Sequence, residues 1–356
     1  MNIGLIGLAN SGKTTIFNAL SRSQAQVTTY ATLKSEPNRA VVEVKDSRVS
    51  ALSDLYNPKK TTYAVIELID FTGLTEGSAK EGLFSDASMG LIKNTHALAI
   101  VVRHFYDEQM GNPTPISDIR KIDEELLISD LIIAENRLER IEKAYRQGKR
   151  TNLLEIEEKI LQRIVEHLNN NRPIRELEMD AEHEIIMRGF QFLTQKQVII
   201  VLNSEETNFG KNQGLLDEIG KSHRVIEFAG TFEMELSRLN DQEDIDCFMA
   251  DMCIEESARS RLCRAAYELL GYISFFTVGS DEVRAWSIRR GDTAVAAAGS
   301  IHTDLARGFI RAECISYNDL ITCGSEKGVG AKGLLRLEGK NYIVQDGNIL
   351  NIRFNI

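Results

Sequence analysis

Near the amino end the chain reads Gly7-Leu-Ala-Asn-Ser-Gly12-Lys13-Thr14-Thr15, between a short apolar run and the amphipathic stretch "IFNALSR". Two glycines, a lysine and a hydroxyl at this spacing, between a strand and a helix, are suited to holding a chain of phosphates. Gly7 and Gly12 permit backbone angles that turn several N–H groups toward one point. A helix starting near Lys13 adds the positive end of its dipole. In such a loop Lys13 reaches the β- and γ-phosphates, and the Thr14 hydroxyl ligates Mg²⁺.

A loop of this kind needs an acid at the end of a neighbouring strand. The run Val65-Ile66-Glu67-Leu68-Ile69 is a strand pattern that ends at Asp70, and Asp70-Phe-Thr-Gly73 reads D-x-x-G. Asp70 is expected to hold the metal through water, and the Gly73 N–H to meet the γ-phosphate and sense its loss. Between the two motifs lies "TTYATLKSEPNRAVVEV", where Thr28, Thr29 and Thr32 are candidates for a switch threonine over the metal.

The elements that must position these groups belong to a large chain. Its 356 residues are 43% hydrophobic and 26% charged, which predicts two or three globular domains with ample core. No apolar run is long enough for a membrane span, and "MNIGLIGLAN" lacks the basic start of a signal peptide. The five cysteines (Cys247, Cys253, Cys263, Cys314 and Cys323) form no C-x-x-C pair, so a reduced, cytoplasmic setting is expected. A net charge of -10 argues against whole-surface affinity for nucleic acid and leaves room for a local basic patch.

The middle of the chain is charged and poor in glycine. Leu127, Leu131, Ala134, Leu138 and Ile141 step by four and three, and Ile160, Ile164 and Leu168 continue after "RQGKR". This spacing predicts an antiparallel coiled-coil hairpin with its tip near Gly148. Lys143, Arg146, Lys149 and Arg150 would make that tip basic. After Pro173 the chain returns to a core strand, "QVIIVLN", so the hairpin is an insertion. From about residue 273 short strands and turns take over, with Trp286 expected in the core.

"GLANSGKTTIFNAL", "YATLKSEPN", "DFTGLTEGSAKEGL", "VVRHF" and the long C-terminal run from "SFFTVGSDEVRAW" to "EGKNYIVQDGNILNIRFNI" together resemble the YchF-type, Obg-like P-loop ATPases of the translation-factor GTPase class. The resemblance covers nearly the whole chain. It implies an α/β fold: a P-loop domain with a mostly parallel sheet over 1–120 and 195–272, a helical coiled-coil insertion over 121–194, and a C-terminal β-grasp (TGS) domain over 273–356. It implies a cytoplasmic switch that binds and slowly hydrolyses ATP with Mg²⁺, and that associates with the ribosome or ribosomal RNA through the helical arm and the TGS domain. Carried over by position, Asn10, Ser11, Gly12, Lys13, Thr14 and Thr15 form the nucleotide cradle, and Thr32 joins Thr14 on the metal. An asparagine like Asn10 accompanies potassium-stimulated turnover in many relatives, which adds K⁺ as a second cation. Ala229 and Gly230 fall where relatives place their last base-contacting loop.

The chain departs from the family pattern in having Ala9 and Ser11 where proline and valine are usual, and in a shorter loop after "VVRHF". Leu74 follows D-x-x-G, where Ras-like switches carry a polar group that orients water, so a catalytic group elsewhere or a slow rate is expected. His96 and His104 read as structural or surface residues.

Guanine-specific relatives carry N-K-x-D where this chain has Asn203-Ser204-Glu205-Glu206. The lysine that packs along guanine is gone, and Glu206 is a methylene longer than the aspartate that grips the guanine edge. Asn203 and the Ser204 backbone could instead serve adenine. ATP is therefore the expected nucleotide. The alternatives are a GTP-preferring GTPase of the same class and a nucleotide-binding scaffold with negligible turnover.

Overall fold

A computed structural model of the protein describes residues 1–21, 37–71, 74, 86–239, 241–251, 254 and 256–355. It divides into two compact units, Met1–Val41 with Glu67–Arg261, and Val42–Ile66 with Leu262–Ile356. Among the described residues no helix is long and apolar enough to cross a membrane.

The first unit contains most of a six-stranded sheet of β1 (Asn2–Ile6), β2 (Asn38–Val44), β4 (Ala64–Asp70), β5 (Ala97–His104), β6 (Gln197–Ser204) and β7 (Arg224–Phe228), in the order β2-β4-β1-β5-β6-β7, with Val42–Val44 and Ala64–Ile66 counted in the second unit. β4, β1, β5, β6 and β7 pair in parallel. Parallel strands are covered on both faces, which is why "ALAIVVR" and "VIIVLNS" are buried without interruption. Ile6, Ile69, Ile100, Val102, Ile200 and Leu202 pack in one core with Ile119, Ile122 and Leu126 of a long helix. All of β1, β4, β5 and β6 end on the same edge of the sheet. The loops that leave those ends share the crevice where open parallel sheets bind ligands.

The long helix, Pro115–Arg146, starts with proline in its first turn, where no N–H is needed. Its amino-terminal turns pack in the sheet's core through Ile119, Ile122 and Leu126, so a single helix runs from the nucleotide unit out into the arm. Beyond it Leu127, Ala134 and Ile141 bury against Ile160, Ile164 and Leu168 of the helix Asn152–Asn169, with Leu131 and Leu138 half-buried beside them. This is the expected antiparallel hairpin. Gly148 closes its tip at φ 75°, and Thr151 caps the second helix by accepting the Leu154 N–H. Arg137 clamps Glu157 through two bonds of 2.7 and 2.8 Å across the pair.

At the root of the arm the buried Asp130 accepts from Leu193 N at 2.9 Å, Thr194 N at 2.7 Å and Thr194 Oγ1 at 2.7 Å. Burial raises this carboxyl to about 6 against those hydrogen bonds.

The second unit carries β3 (Lys60–Thr62), β8 (Tyr272–Thr277), β9 (Glu282–Arg289), β10 (Phe309–Ser316), β11 (Arg336–Glu338) and β12 (Asn348–Phe354), in the order β11-β10-β12-β8-β9-β3. β8 and β9 form an antiparallel hairpin, and β12 returns parallel to β8. The helix Ala294–Ile301 packs Ala294, Ala297 and Ala298 onto Phe275 and Ile288. Hairpin, packed helix and parallel return strand are the β-grasp order. Trp286 is half-buried, stacked on Phe275, and donates to Thr277 Oγ1 at 3.0 Å.

Residues 42–66 were expected in the nucleotide domain and lie instead in the second unit. The reason is hydrophobic. The helix Ser47–Tyr56 buries Val49 and Leu52 against Phe276, Val283, Ala285 and Leu320, and β3 adds to the edge of β9 in parallel.

Candidate functional site

The turn after β1 is shaped by backbone conformations few residues adopt. Asn10 has φ 61° and Gly12 φ 83°. Asparagine tolerates the left-handed region and glycine enters it freely. A Cβ on Gly7 would stand 2.4 Å from the Val101 carbonyl oxygen, so the first glycine is required by the close approach to β5. The helix Lys13–Ser21 starts at the end of this turn, aiming its first N–H groups into the crevice.

Asn10, Ser11, Gly12, Lys13, Thr14 and Thr15 line one cavity of about 430 Å³, together with Phe105, Asp107, Glu108 and Gln109. Lys13 is nearly buried and donates to the Leu8 carbonyl at 3.3 Å. Burial pushes its ammonium down to about 8, against the opposing pull of Asp70. Asp70 ends β4 and accepts from Thr14 Oγ1 at 3.2 Å. Burial raises its carboxyl, while Lys13, Thr14 and Asn38 draw it down. Two buried atoms here, Ser11 Oγ and Asp70 Oδ1, have no hydrogen-bond partner among the described residues. Buried polar atoms are rarely left so. A polyphosphate with its cation would satisfy both, so the donor set fits Mg²⁺.

Thr28, Thr29, Thr32 and Gly73 lie outside the described residues. Leu74 donates its N–H to the Gly7 carbonyl at 2.9 Å, and its side chain is buried in the core with Phe71 and Ile92. It is a packing residue in this structure.

The strand-end motif is arranged differently from the expectation. Asn203 is buried: its Nδ2 donates to the Ser11 carbonyl at 3.1 Å, and its Oδ1 accepts from the Gly230 N–H at 3.1 Å. Its carboxamide therefore ties the phosphate loop to the end of β7 rather than facing a base. Gly12 and Gly230 make room for it, since a Cβ would come within 2.2 Å of Asn203 Nδ2 at the first and 2.7 Å of Asn203 Oδ1 at the second. Ala229 is fully buried, so it and Gly230 back this tether instead of lining the cavity. The Ser204 hydroxyl turns inward to Glu227 at 2.6 Å. Glu205 and Glu206 remain exposed at the carboxyl end of β6.

Sequence reasoning noted the short loop after β5 but gave Arg103 and Phe105 no role. Phe105 approaches the phosphate loop at Gly12 and lines the cavity. Arg103 holds this loop by donating to the carbonyls of Phe105, Gly111 and Asn112 at 2.8, 2.8 and 3.1 Å. Position was the available signal, because Phe105 is the first residue past a strand that ends beside the phosphate loop. The histidines are structural: His96 Nδ1 accepts the Asn2 N–H at 3.1 Å, and His104 Nε2 meets Asn212 Oδ1 at 3.1 Å. Among the described cysteines, Cys247, Cys263, Cys314 and Cys323 form no disulfide; Cys253 lies outside the described residues.

A parallel sheet, a glycine-lysine-threonine turn running into a helix, and an acid at the next strand end define a P-loop nucleoside-triphosphatase domain. Residues 2–137 match the profile of a family described as 50S ribosome-binding GTPase, and residues 272–355 match the YchF GTPase C-terminal profile, described as a protein of unknown function. The chain is 36% identical to the ribosome-binding ATPase YchF of Haemophilus ducreyi over 99% of both chains. It is 35% identical to that of Bacillus subtilis over the full length of both. The solved structure of the Schizosaccharomyces pombe YchF GTPase superposes with a TM-score of 0.82 at 27% identity, covering 99% of this chain and 97% of that one. The chain belongs to the YchF family.

Proposed function

We propose that this protein is a nucleotide-dependent switch that binds ATP with Mg²⁺, hydrolyses it slowly and associates with the ribosome in the cytoplasm. The observation that carries the reading is a pair of buried atoms without a partner among the described residues, Ser11 Oγ and Asp70 Oδ1, beside a desolvated Lys13. Together they make an incomplete site that a triphosphate and its cation would complete. The relatives named as ribosome-binding ATPases support both the nucleotide and the partner.

Asn10, Ser11, Gly12, Lys13, Thr14 and Thr15 would wrap the phosphates, and Lys13 would hold charge on the β- and γ-oxygens. Thr14, Asp70 and Thr32 would hold Mg²⁺, which supplies charge neutralisation as the terminal phosphate leaves. The Gly73 N–H would report loss of that phosphate to the following segment. K⁺ stimulation, inferred from Asn10, is read by comparing turnover in K⁺ and Na⁺.

Adenine is the proposed base. No lysine follows Asn203 to cover a guanine ring, and the longer, exposed Glu206 stands where the guanine-gripping aspartate would be. Phe105, on the cavity wall, offers a face for the ring.

The partner is proposed to meet the arm tip. Lys143, Arg146, Lys149 and Arg150 are all exposed there. Arg146 is paired with Glu142 and Arg150 with Glu155, whereas Lys143 and Lys149 make no ion pair among the described residues. The β-grasp domain is proposed as a TGS docking module.

The test is calorimetric titration of nucleotide-free protein with ATP and GTP, followed by single-turnover phosphate release with and without ribosomes. Tighter binding of ATP and release above background support the reading. Equal or tighter binding of GTP overturns the base assignment, and no release under either condition overturns the ATPase.

A further inference from the structure

Glu227 is the penultimate residue of the parallel strand β7, 6% exposed, and does not line the cavity at the phosphate loop. A buried carboxylate persists in a fold only when its oxygens are well satisfied. Here both are. Oε1 accepts from the Ser204 hydroxyl at 2.6 Å and from Asn212 Nδ2 at 2.5 Å, and Oε2 accepts from the Gly210 N–H at 3.1 Å. Three donors from the start, the turn and the end of one segment, 204–212, converge on a single side chain of the neighbouring strand. Asn212 passes the link on to His104, whose carbonyl also accepts the Glu205 N–H at 3.3 Å. The guanidinium of Arg261 lies 5.5 Å from the Phe209 ring of this segment and 5.6 Å from Phe228; burial lowers its pKa, and Glu233, Glu256 and Glu227 oppose that lowering.

Two anchors therefore flank the exposed Glu205 and Glu206. Asn203 fixes one side to the phosphate loop, and Glu227 fixes the other through Ser204, Gly210 and Asn212. We propose that Glu227 is a positioning residue that sets nucleotide-base affinity by holding the 204–212 segment, and with it Glu206, beside the phosphate cradle. The inference rests on the reading that this segment meets the base. It differs from a stabilising role in one respect: its effect depends on the base and leaves the phosphates alone, since the hydrogen bonds of Glu227 among the described residues go to Ser204, Gly210 and Asn212 and to none of the phosphate loop.

The test compares Glu227→Gln and Glu227→Ala with the full wild-type chain, titrated with ATP, GTP and inorganic tripolyphosphate. Glutamine keeps one acceptor for Ser204 and Asn212 and loses the one facing the Gly210 N–H. The Kd for ATP should rise roughly tenfold or more in Glu227→Ala, as for loss of charge-assisted hydrogen bonds, and less in Glu227→Gln. Tripolyphosphate affinity should stay unchanged, and the ATP-to-GTP ratio should move toward one. Unchanged ATP affinity, or equal losses for ATP and tripolyphosphate, overturns the proposal. Hydrogen exchange at the Gly210 amide reads the tether without any nucleotide. Faster exchange in both variants supports it and unchanged protection overturns it, even if the wild-type chain were found to bind no ATP and the proposed function failed.

Discussion

Asn203 Nδ2 donates to the carbonyl oxygen of Ser11 across 3.1 Å, joining the end of β6 to a loop 192 residues earlier in the chain. The same carboxamide accepts the Gly230 N–H. Asn203→Ala would leave two buried backbone groups without partners, costing about 2–3 kcal/mol of stability. Chemical denaturation should register that loss. ATP affinity should fall with it, because the phosphate loop loses its brace. Asn203→Ala with wild-type stability would show that water replaces the amide and that the tether is dispensable.

Lys13 makes nucleotide affinity depend on pH. Its ammonium is lowered by burial to about 8 in the free protein, below the ordinary lysine value. The cost of keeping it charged in the fold is present below pH 8 and disappears as pH rises from about 8 through the unfolded value of 10.5. A bound polyphosphate favours the charged form and raises the pKa again. Binding should therefore take up protons near pH 8, and affinity should decline above it. Calorimetry in two buffers of different ionisation enthalpy measures the uptake. Lys13→Ala should abolish tight binding, and any residual binding should lose this pH dependence.

The cradle was legible in the sequence because its chemistry and its local structure coincide. Gly7, Gly12, Lys13 and Thr14 are read by type and spacing within one turn. The coiled-coil seam was legible for the same reason, since Leu127, Ala134 and Ile141 repeat at a fixed period. Asn203 and Glu227 were not legible as tethers. Their partners are set by which strands become neighbours, and nothing in "VLNSEE" or "VIEFAG" reveals that Ser204 will face Glu227 across β6 and β7. The 42–66 excursion was hidden in the same way. Val49 and Leu52 are ordinary apolar residues until the strands from Phe276 to Ile349 exist to cover them.

Asp130 should give the arm root a pH response of its own. Its carboxyl is raised to about 6, so the ionised form is disfavoured in the fold. The contribution of this group to stability is greatest below its unfolded value of 3.8 and falls as pH rises from about 4 to 6. Asp130→Asn removes the titration and should flatten the stability profile over that window relative to wild type. Asp130→Ala should flatten the profile as well and lie roughly 1–3 kcal/mol below Asp130→Asn at every pH, because Leu193 N and Thr194 N lose their acceptor altogether. Denaturant titrations of the three proteins at pH 4, 5, 6 and 7 distinguish the two effects.

The arm tip offers a test in which the pairing of charges predicts unequal results. Arg146 and Arg150 are held by Glu142 and Glu155, and Arg150 also lies 5.1 Å over the Tyr145 ring. Lys143 and Lys149 carry no such partners among the described residues. A free cation meets a nucleic-acid phosphate without first giving up an ion pair, so Lys143→Ala with Lys149→Ala should account for most of the effect of replacing all four. Ribosome co-sedimentation across a salt series measures it. Every phosphate that a variant no longer neutralises should reduce the slope of log affinity against log salt by roughly 0.7–0.9. A basic tip acting only as a solvated helix end would leave both pelleting and slope unchanged in the double variant. Equal losses from Arg146→Ala with Arg150→Ala would show instead that the paired arginines exchange their acids for phosphate on binding.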